Sequence, residues 1–272
     1  MNFKLRVGIV GCGAIGSSLA ENILKKFSKN ASLTALYDID PLKSRRLSNR
    51  LSKNITAANL TQLIAKSDIV VEAASAKVSY GIAKEAVILG KDVMVMSVGG
   101  LVGKLNRLKK LAIKNSARVY IPSGAICGID ALKAAKFDKI TKVILTTKKS
   151  PKAFKGVKYI KERGIDLDRI RGEKVLFSGT ADKAVINFPQ NINVAAVLSL
   201  AGLGAKHTIV KIIASSFVTR NIHEIKIESN AGVITTRTEN VLHPANPKTS
   251  YLAVLSAVAT LSGILEPVKI GT

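Results

Sequence analysis

The sequence has few cysteines and no long apolar run, and these absences exclude several classes of protein. Its two cysteines, Cys12 and Cys127, have no partner at the spacing of a metal or redox motif. We therefore predict neither a disulfide framework nor a metal site. No apolar run reaches the roughly 18 residues that a membrane-spanning helix requires. The first residues also lack the apolar region and cleavage site of a signal peptide, so we expect a cytoplasmic protein with no membrane association.

Acidic residues are also scarce, since 18 Asp and Glu stand against 42 Lys and Arg and leave a net charge of +24. Such a charge is one mark of nucleic-acid binding. The lysines, however, are spread along the whole chain, and the densest stretch, 148–163, has few aromatic side chains and no recognition motif. We interpret the charge as a solvated lysine-rich surface that attracts anionic substrates, and we do not expect a nucleic-acid partner.

The first half of the chain alternates strand and helix patterns. Short β-rich runs are followed by stretches with apolar residues at helical spacing. This alternation predicts an α/β fold, a Rossmann doubly wound parallel sheet with right-handed crossovers. The predicted strands lie at 5–10, 32–37, 68–74, 92–97 and 118–122.

The rhythm changes after Ser123-Gly124, where a second, smaller α+β domain built on an open sheet is expected. A short helical segment is predicted from Gly179-Thr180-Ala181, a helix at 191–201, and a final apolar helix from Tyr251 that ends near Gly263. Predicted strands lie at 140–147, 208–214, 222–228 and 233–237, the last two joined by a hairpin turn. We expect a dinucleotide-binding domain of residues 1–124 plus 245–272, and a substrate and dimerisation domain of residues 125–244.

A glycine-rich turn between the first strand and the first helix predicts a dinucleotide site. Gly11, Gly13 and Gly16 match the pattern G-x-G-x-x-G. The first glycine permits the tight turn, the second lets the backbone approach a pyrophosphate, and the third lets helix and strand pack closely. The pyrophosphate would lie at the helix N-terminus, where free N–H groups favour an anion. The intervening residues belong to the same predicted cofactor site: Cys12, as a spacer without chemistry of its own, Ala14 and Ile15.

Further cofactor contacts are predicted at the ends of other strands. Asp38 ends the second strand, and its carboxylate would accept hydrogen bonds from the ribose hydroxyls and repel a 2′-phosphate. We therefore predict NAD, with NADP as the alternative if Arg45 and Arg46 accommodate that phosphate. Ligands of open α/β sheets bind outside the carboxyl ends of strands, which places three more residues on the nicotinamide side: Ala74, Ser75 and Ser97.

Composition and spacing lead no further than a dinucleotide enzyme with a second domain, but four segments carry a family resemblance. Taken together and in this order, they resemble the L-aspartate dehydrogenase family over nearly the whole chain. The segments are Ser123–Asp130, Phe188–Val194, Asn221–Ile225 and Asn246–Ser250.

The resemblance implies an oxidoreductase that converts L-aspartate to iminoaspartate with NAD or NADP, and a homodimer. The imine would feed quinolinate and hence pyridine nucleotide biosynthesis, or be hydrolysed to oxaloacetate and ammonia. The resemblance also implies that Ala125 and Asn193 contact the cofactor and that His223 is the active-site histidine. A histidine can exchange the proton of the substrate ammonium, or as imidazolium hold a carboxylate, and the sequence leaves both roles open.

A substrate with two carboxylates requires cations and oriented N–H donors. The candidates are Lys248, Thr249 and Ser250, which precede the final helix, with Ser123 as a further contact to either ligand.

Two other interpretations remain. A homoserine dehydrogenase-like or dihydrodipicolinate reductase-like enzyme would share the two-domain plan, although the segment Asn221–Ile225 argues against both. A non-enzymatic protein that senses NAD or binds nucleic acid would use the positive charge.

Overall fold

A computed structural model describes residues 4–188, 193–244 and 246–271, without the side chains of Pro247 and Lys248. The chain forms two compact units. One comprises Met1–Pro122 and Val254–Lys269, and the other comprises Ser123–Ala253 and Ile270–Thr272.

The sheet of the first unit is wholly parallel, with the strand order β2-β1-β3-β4-β5. Its strands are β1 Leu5–Val10, β2 Ala31–Tyr37, β3 Ile69–Glu72, β4 Asp92–Val95 and β5 Val119–Tyr120. The order changes direction at β1 and β3, which is where ligands bind in open α/β sheets. The predicted doubly wound Rossmann sheet is confirmed.

Helices of the first unit follow the strands as the sequence predicted, except that the short third helix was not predicted. They are α1 Ala14–Lys26, α2 Pro41–Arg50, α3 Leu60–Ala65, α4 Ala76–Ile88 and α5 Leu105–Lys114. The α2 helix begins at Pro41, a position where a backbone N–H would have no partner within the helix. The side chain of Asp40 caps the helix by accepting a hydrogen bond from Leu42 N at 3.0 Å. Val7 and Ile9 of β1 pack with Leu19 of α1 in the core of this unit.

The second unit contains a mixed sheet of strand order β10-β9-β6-β8-β7, in which only β6 and β8 are parallel. The strands are β6 Ile140–Lys149, β7 Glu173–Thr180, β8 Thr208–Ser215, β9 Asn221–Ser229 and β10 Gly232–Asn240. A separate two-stranded ladder joins β11 Leu242–His243 to β12 Asn246–Ser250. This ladder lies in the second unit, so residues 246–250, which we expected with the first domain, belong by their pairing to the second.

Helices cover the apolar part of this sheet. They are α6 Ile129–Ala135, α7 Lys158–Glu162, α8 Ala181–Asn187 and α9 Asn193–Ala201. Leu145 of β6, Ile225 of β9 and Leu198 of α9 lie together in the core of this unit.

Several elements were not predicted from the sequence: the strand β7, the β11–β12 ladder and the short helices α3, α6 and α7. The last helix, α10 Tyr251–Leu265, ends two residues beyond Gly263, near which we predicted its end. A Cβ at Gly263 would meet no atom within 4 Å, so this glycine occupies an ordinary helical position. Ala257 and Leu261 of α10 lie in the core of the first unit.

In the described residues no helix combines the length and the apolar character that crossing a membrane requires.

Candidate cofactor and active site

In the glycine turn after β1, Gly11 and Gly16 are packed against neighbouring backbone, whereas Gly13 faces open space. Gly11 has a φ of 94°, and a Cβ there would lie 2.5 Å from the carbonyl oxygen of Ala73. A Cβ at Gly16 would overlap the carbonyl oxygen of Gly11, so this contact of helix and turn requires a hydrogen at that position. A Cβ at Gly13 would meet nothing within 4 Å. The open space above Gly13 fits the approach of a pyrophosphate to the backbone.

The start of α1 provides the donors for such an anion. This 13-residue helix has no side-chain cap at Gly13 and no acidic residue in its first turn. Its first N–H groups and its dipole therefore favour a phosphate. Ala14 and Ile15 are half-buried, and burial raises the pKa of the Cys12 thiol to about 12, which keeps it protonated as an uncharged spacer.

Asp38 follows β2, and its carboxylate is held in place from two sides. One oxygen accepts a hydrogen bond from Cys12 N at 2.7 Å, and the other accepts one from Asp40 N at 2.9 Å. The carboxylate thus lies beside the glycine turn with lone pairs left for further donors. Arg45 and Arg46, the alternative contacts for a 2′-phosphate, are exposed on α2.

Glu72, a residue that sequence reasoning passed over, connects two of the predicted cofactor loops. It ends β3, is fully buried, and accepts hydrogen bonds from Ala74 N at 2.8 Å and from Ser97 N at 3.0 Å. Burial raises the pKa of this carboxyl group. Ala74 and Ser75 are exposed beside it, whereas Ser97 is buried against it. Its position as an acidic residue at the end of a buried strand was the available signal.

In the second unit, the β9 strand places His223 in a buried polar environment. The side chain is 3% exposed, and Nδ1 shares a 3.0 Å hydrogen bond with Oγ1 of Thr147 on β6. Burial, together with the charge of Lys149, lowers the pKa of His223 to about 3. The imidazole is therefore neutral at physiological pH, which argues against an imidazolium that holds a carboxylate.

Lys149 is the second residue that sequence reasoning missed. It ends β6 within the lysine-rich stretch, yet it is only 7% exposed, and burial lowers its pKa to about 8. The available signal was the period-two pattern of β6, because Val143, Leu145 and Thr147 are buried at the same alternate positions. The remaining basic side chains of the stretch behave as a surface: Lys148 pairs with Glu173, Lys155 with Asp168 and Lys158 with Glu162, and Arg163 lies over the ring of Tyr159.

The backbone of Ala125 is hydrogen-bonded to β10, the edge strand of the same sheet. Its carbonyl oxygen accepts hydrogen bonds from Asn240 Nδ2 at 2.9 Å and from Thr238 Oγ1 at 3.1 Å, both on β10. Asn193, the other predicted cofactor contact, is the exposed first residue of α9 and follows residues 189–192, which lie outside the described residues.

The predicted substrate contacts 248–250 lie on β12. Ser250 Oγ accepts a hydrogen bond from Asn221 Nδ2 at 3.5 Å, and the N–H of Tyr251 donates to Val241 O at 2.9 Å. The first donor of α10 is thus already used. Thr249 Oγ1 accepts from Asn246 Nδ2 at 3.2 Å, the side chain of Lys248 lies outside the described residues, and Ser123 is half-buried at the start of the unit.

Two family models match the chain. One is described as "Aspartate dehydrogenase, C-terminal" and matches residues 130–264, and the other is described as "Homoserine dehydrogenase, NAD binding domain" and matches residues 11–122. The first unit is therefore an NAD-binding domain. The second model includes the glycine turn and Asp38, whereas the first includes Lys149 and His223.

Full-length relatives agree with the family models. L-aspartate dehydrogenase of Methanosarcina barkeri is 44% identical over 272 residues, which cover 98% of this chain and 100% of that protein. L-aspartate dehydrogenase of Methanocaldococcus jannaschii is 39% identical with the same coverage. The crystal structure of aspartate dehydrogenase from Thermotoga maritima is 26% identical, with a TM-score of 0.73 over 99% of this chain and 100% of that one.

Proposed function

The chain belongs to the L-aspartate dehydrogenase family, and on that premise we propose that it oxidises L-aspartate to iminoaspartate. The observation that carries the proposal is the buried His223, hydrogen-bonded through Nδ1 to Thr147 at the polar end of the second unit's sheet, within the segment that matches the family's C-terminal model. Bound NAD supplies the acceptor for the hydride that leaves the substrate Cα.

The chain's own residues divide the work as follows. His223 takes a proton from the substrate ammonium through its neutral imidazole, and the substrate carboxylates favour the charged imidazolium and so raise the pKa that burial lowers. The hydrogen bond of Thr147 to Nδ1 orients the ring and leaves Nε2 for this exchange. Removal of this proton and of the Cα hydride leaves iminoaspartate in its protonated, iminium form, which gives the neutral imine when it releases a second proton to solvent.

The open space above Gly13 and the Asp38 carboxylate held beside the glycine turn support the proposed NAD site. Ser123, Thr249, Ser250 and Lys248 are proposed to contribute to substrate binding. The proposed NAD contacts are Gly11, Cys12, Gly13, Ala14, Ile15, Gly16, Asp38, Ala74, Ser75, Ser97, Ala125 and Asn193. The family resemblance also supports a homodimer, a cytoplasmic location and a product that enters NAD synthesis through quinolinate or is hydrolysed to oxaloacetate and ammonia.

The activity is tested by following NADH absorbance with purified protein, NAD and L-aspartate. We expect NADH to form with L-aspartate and not with L-homoserine, because His223 lies in the segment that the aspartate dehydrogenase model matches. Folded protein that forms no NADH from L-aspartate over a range of pH and temperature would exclude the proposed reaction. Turnover of homoserine alone would favour the homoserine dehydrogenase-like alternative.

We also propose that NAD is preferred over NADP. Replacement of Asp38 with alanine removes the carboxylate that would bind the ribose, and it is expected to lower kcat/KM for NAD by about tenfold to hundredfold, on the scale of hydrogen bonds to a charged group. With the repulsion of a 2′-phosphate gone, kcat/KM for NADP should rise. The measurement is the ratio of kcat/KM for the two cofactors.

Asp40→Ala is the matched control for that experiment. Asp40 lies two residues away and caps α2, so its loss is expected to cost about 1 kcal/mol of stability while leaving the cofactor ratio unchanged. An Asp38→Ala variant with the wild-type ratio would show that this carboxylate does not select the cofactor.

A further inference from the structure

The polar end of the second unit's sheet consists of two neighbouring rows of residues on one face. Thr147 of β6, His223 of β9 and Thr238 of β10 are directly opposite one another in the register. Residues opposite each other in a sheet project to the same face, as the hydrogen bond of Thr147 to His223 shows. These three residues form the first row.

The second row lies two residues further along each strand. Asn240 of β10 pairs with Asn221 of β9, and Asn221 and Lys149 each follow the Ile222–Lys148 pair by one residue. Because side chains two residues apart share a face, Lys149, Asn221 and Asn240 project to the same side as His223. Diagonal neighbours in such a ladder are about 7–8 Å apart, which places Lys149 within reach of a ligand that touches His223.

This face becomes polar abruptly. The positions before it, Val143 and Leu145 on β6 and Ile225 and Ile227 on β9, are buried apolar residues of the unit's core. All three members of the second row are nonetheless buried, with Asn240 3% and Lys149 7% exposed. Asn221 donates to Ser250 Oγ, so the row places a cation and an amide acceptor, the groups complementary to a carboxylate and an ammonium, at one spot beside His223.

The two polar atoms of the Asn240 amide differ in their hydrogen bonding. Its Nδ2 donates to the carbonyl oxygen of Ala125 at 2.9 Å, which fixes the orientation of the amide. Its Oδ1 is buried and has no hydrogen-bond partner among residues 4–188, 193–244 and 246–271. A buried acceptor of this kind requires an N–H or O–H donor.

We infer that Lys149 and Asn240 form the substrate subsite beside His223: the Lys149 ammonium holds a carboxylate, and Asn240 Oδ1 accepts a hydrogen bond from the amino group. The inference rests on the proposed oxidation of L-aspartate and assigns to its substrate two residues besides the segment 248–250. An amino dicarboxylate carries both groups that this subsite would bind, and a cation paired with a carboxylate gives the stronger of the two contacts.

The charge state of Lys149 sets the pH range of the subsite. Its pKa of about 8 keeps the ammonium charged below that pH, and deprotonation above it removes the attraction for a carboxylate. The titratable neighbours are His223 on β9, which is neutral, and the exposed Lys174 on β7, which lies opposite Ala214, the β8 neighbour of Lys149.

Succinate is the probe for the carboxylate contact, because it has two carboxylates, no amino group and no reaction with NAD. Its dissociation constant is measured by titration calorimetry with NAD present. Lys149→Met is expected to raise that constant by about tenfold to hundredfold, and Lys149→Arg to preserve most of the binding. Methionine in place of a buried lysine is compatible with folding, since apolar replacements of buried charges are often neutral or stabilising.

Lys148→Met is the matched control. This neighbouring lysine is on the opposite face of β6 and pairs with Glu173 at 3.2 Å, so its loss removes the same charge and should leave succinate binding unchanged. The pH dependence provides a second readout. Binding to the wild type should weaken above about pH 8, Lys149→Met should show weak binding at every pH, and Lys149→Arg should lose the alkaline decline.

Asn240→Leu tests the amino-group contact. The variant is expected to raise KM for L-aspartate while leaving the dissociation constant of succinate unchanged, because succinate has no amino group. A merely structural role for Asn240 would alter both constants.

The outcomes separate the subsite from the proposed reaction. If the wild type forms no NADH from L-aspartate but binds succinate in a Lys149-dependent way, the reaction is wrong and the carboxylate contact stands. If L-aspartate is oxidised while Lys149→Met binds succinate as the wild type does, the subsite is overturned. A wild type that binds no succinate overturns it as well.

Discussion

Replacement of His223 with alanine is expected to lower kcat for L-aspartate oxidation by about 10²–10⁴-fold, the usual contribution of a positioned acid–base group. The physical reason is the loss of a neutral, buried imidazole whose Nδ1 is held by Thr147 at 3.0 Å. The measurement is steady-state NADH formation at saturating L-aspartate and NAD. A near-normal kcat would remove His223 from the chemical step.

The control is His207→Ala, at an exposed histidine before β8, where turnover should not change. Thr147→Val separates orientation from proton exchange. It leaves the imidazole in place and removes the partner of Nδ1, so we expect a smaller loss than for His223→Ala, and a ring that titrates differently.

The pH dependence of stability gives an independent check on the state of His223. The unfolded histidine has a pKa near 6.5 and the folded one about 3, so the unfolded chain binds more protons between these values. Stability that is present above pH 6.5 is therefore lost as the pH falls towards 3. His223→Ala should lack this contribution, and chemical denaturation of both proteins at several pH values measures the difference.

The NAD-binding half was predictable because its signals are local. Glycines at 11, 13 and 16 follow a buried strand directly, and Asp38 ends the next, so each residue's place followed from its own neighbours in the sequence. The strand β7 was missed because it is an edge strand whose Glu173, Lys174 and Val175 are exposed, which obscures the alternation that marks a half-buried strand.

The second half of the site depends on pairing across strands that lie far apart in the sequence. In the sequence Lys149 is one of several neighbouring lysines, and only the register of β6 and β9 shows that it lies in the row next to His223. Nothing in the sequence indicates that Asn240 contacts Ala125, which is 115 residues away. The family resemblance supplied His223, whereas the period-two pattern of β6 marks Lys149 as inward-facing but does not show that it lies beside His223.

Two glycines of the phosphate turn should respond in opposite ways to the same added methyl group. In Gly16→Ala the Cβ would overlap the carbonyl oxygen of Gly11, and since that oxygen belongs to the backbone and cannot turn away, helix α1 must shift. We expect a loss of about 2–3 kcal/mol in the free energy of unfolding, on the scale of overpacked sites, and a weakened affinity for NAD. Chemical denaturation and NAD titration measure the two effects.

Gly13→Ala is the matched variant, because its φ of −75° suits alanine and its Cβ would meet no atom within 4 Å. The folded state should therefore be as stable as the wild type. The methyl group nevertheless enters the space through which a pyrophosphate reaches the backbone N–H groups of α1, so the dissociation constant of NAD should rise by about tenfold or more. Wild-type NAD affinity in Gly13→Ala would show that the diphosphate does not lie over this turn, whereas wild-type stability in Gly16→Ala would show that helix and turn are not packed as closely as the backbone positions require.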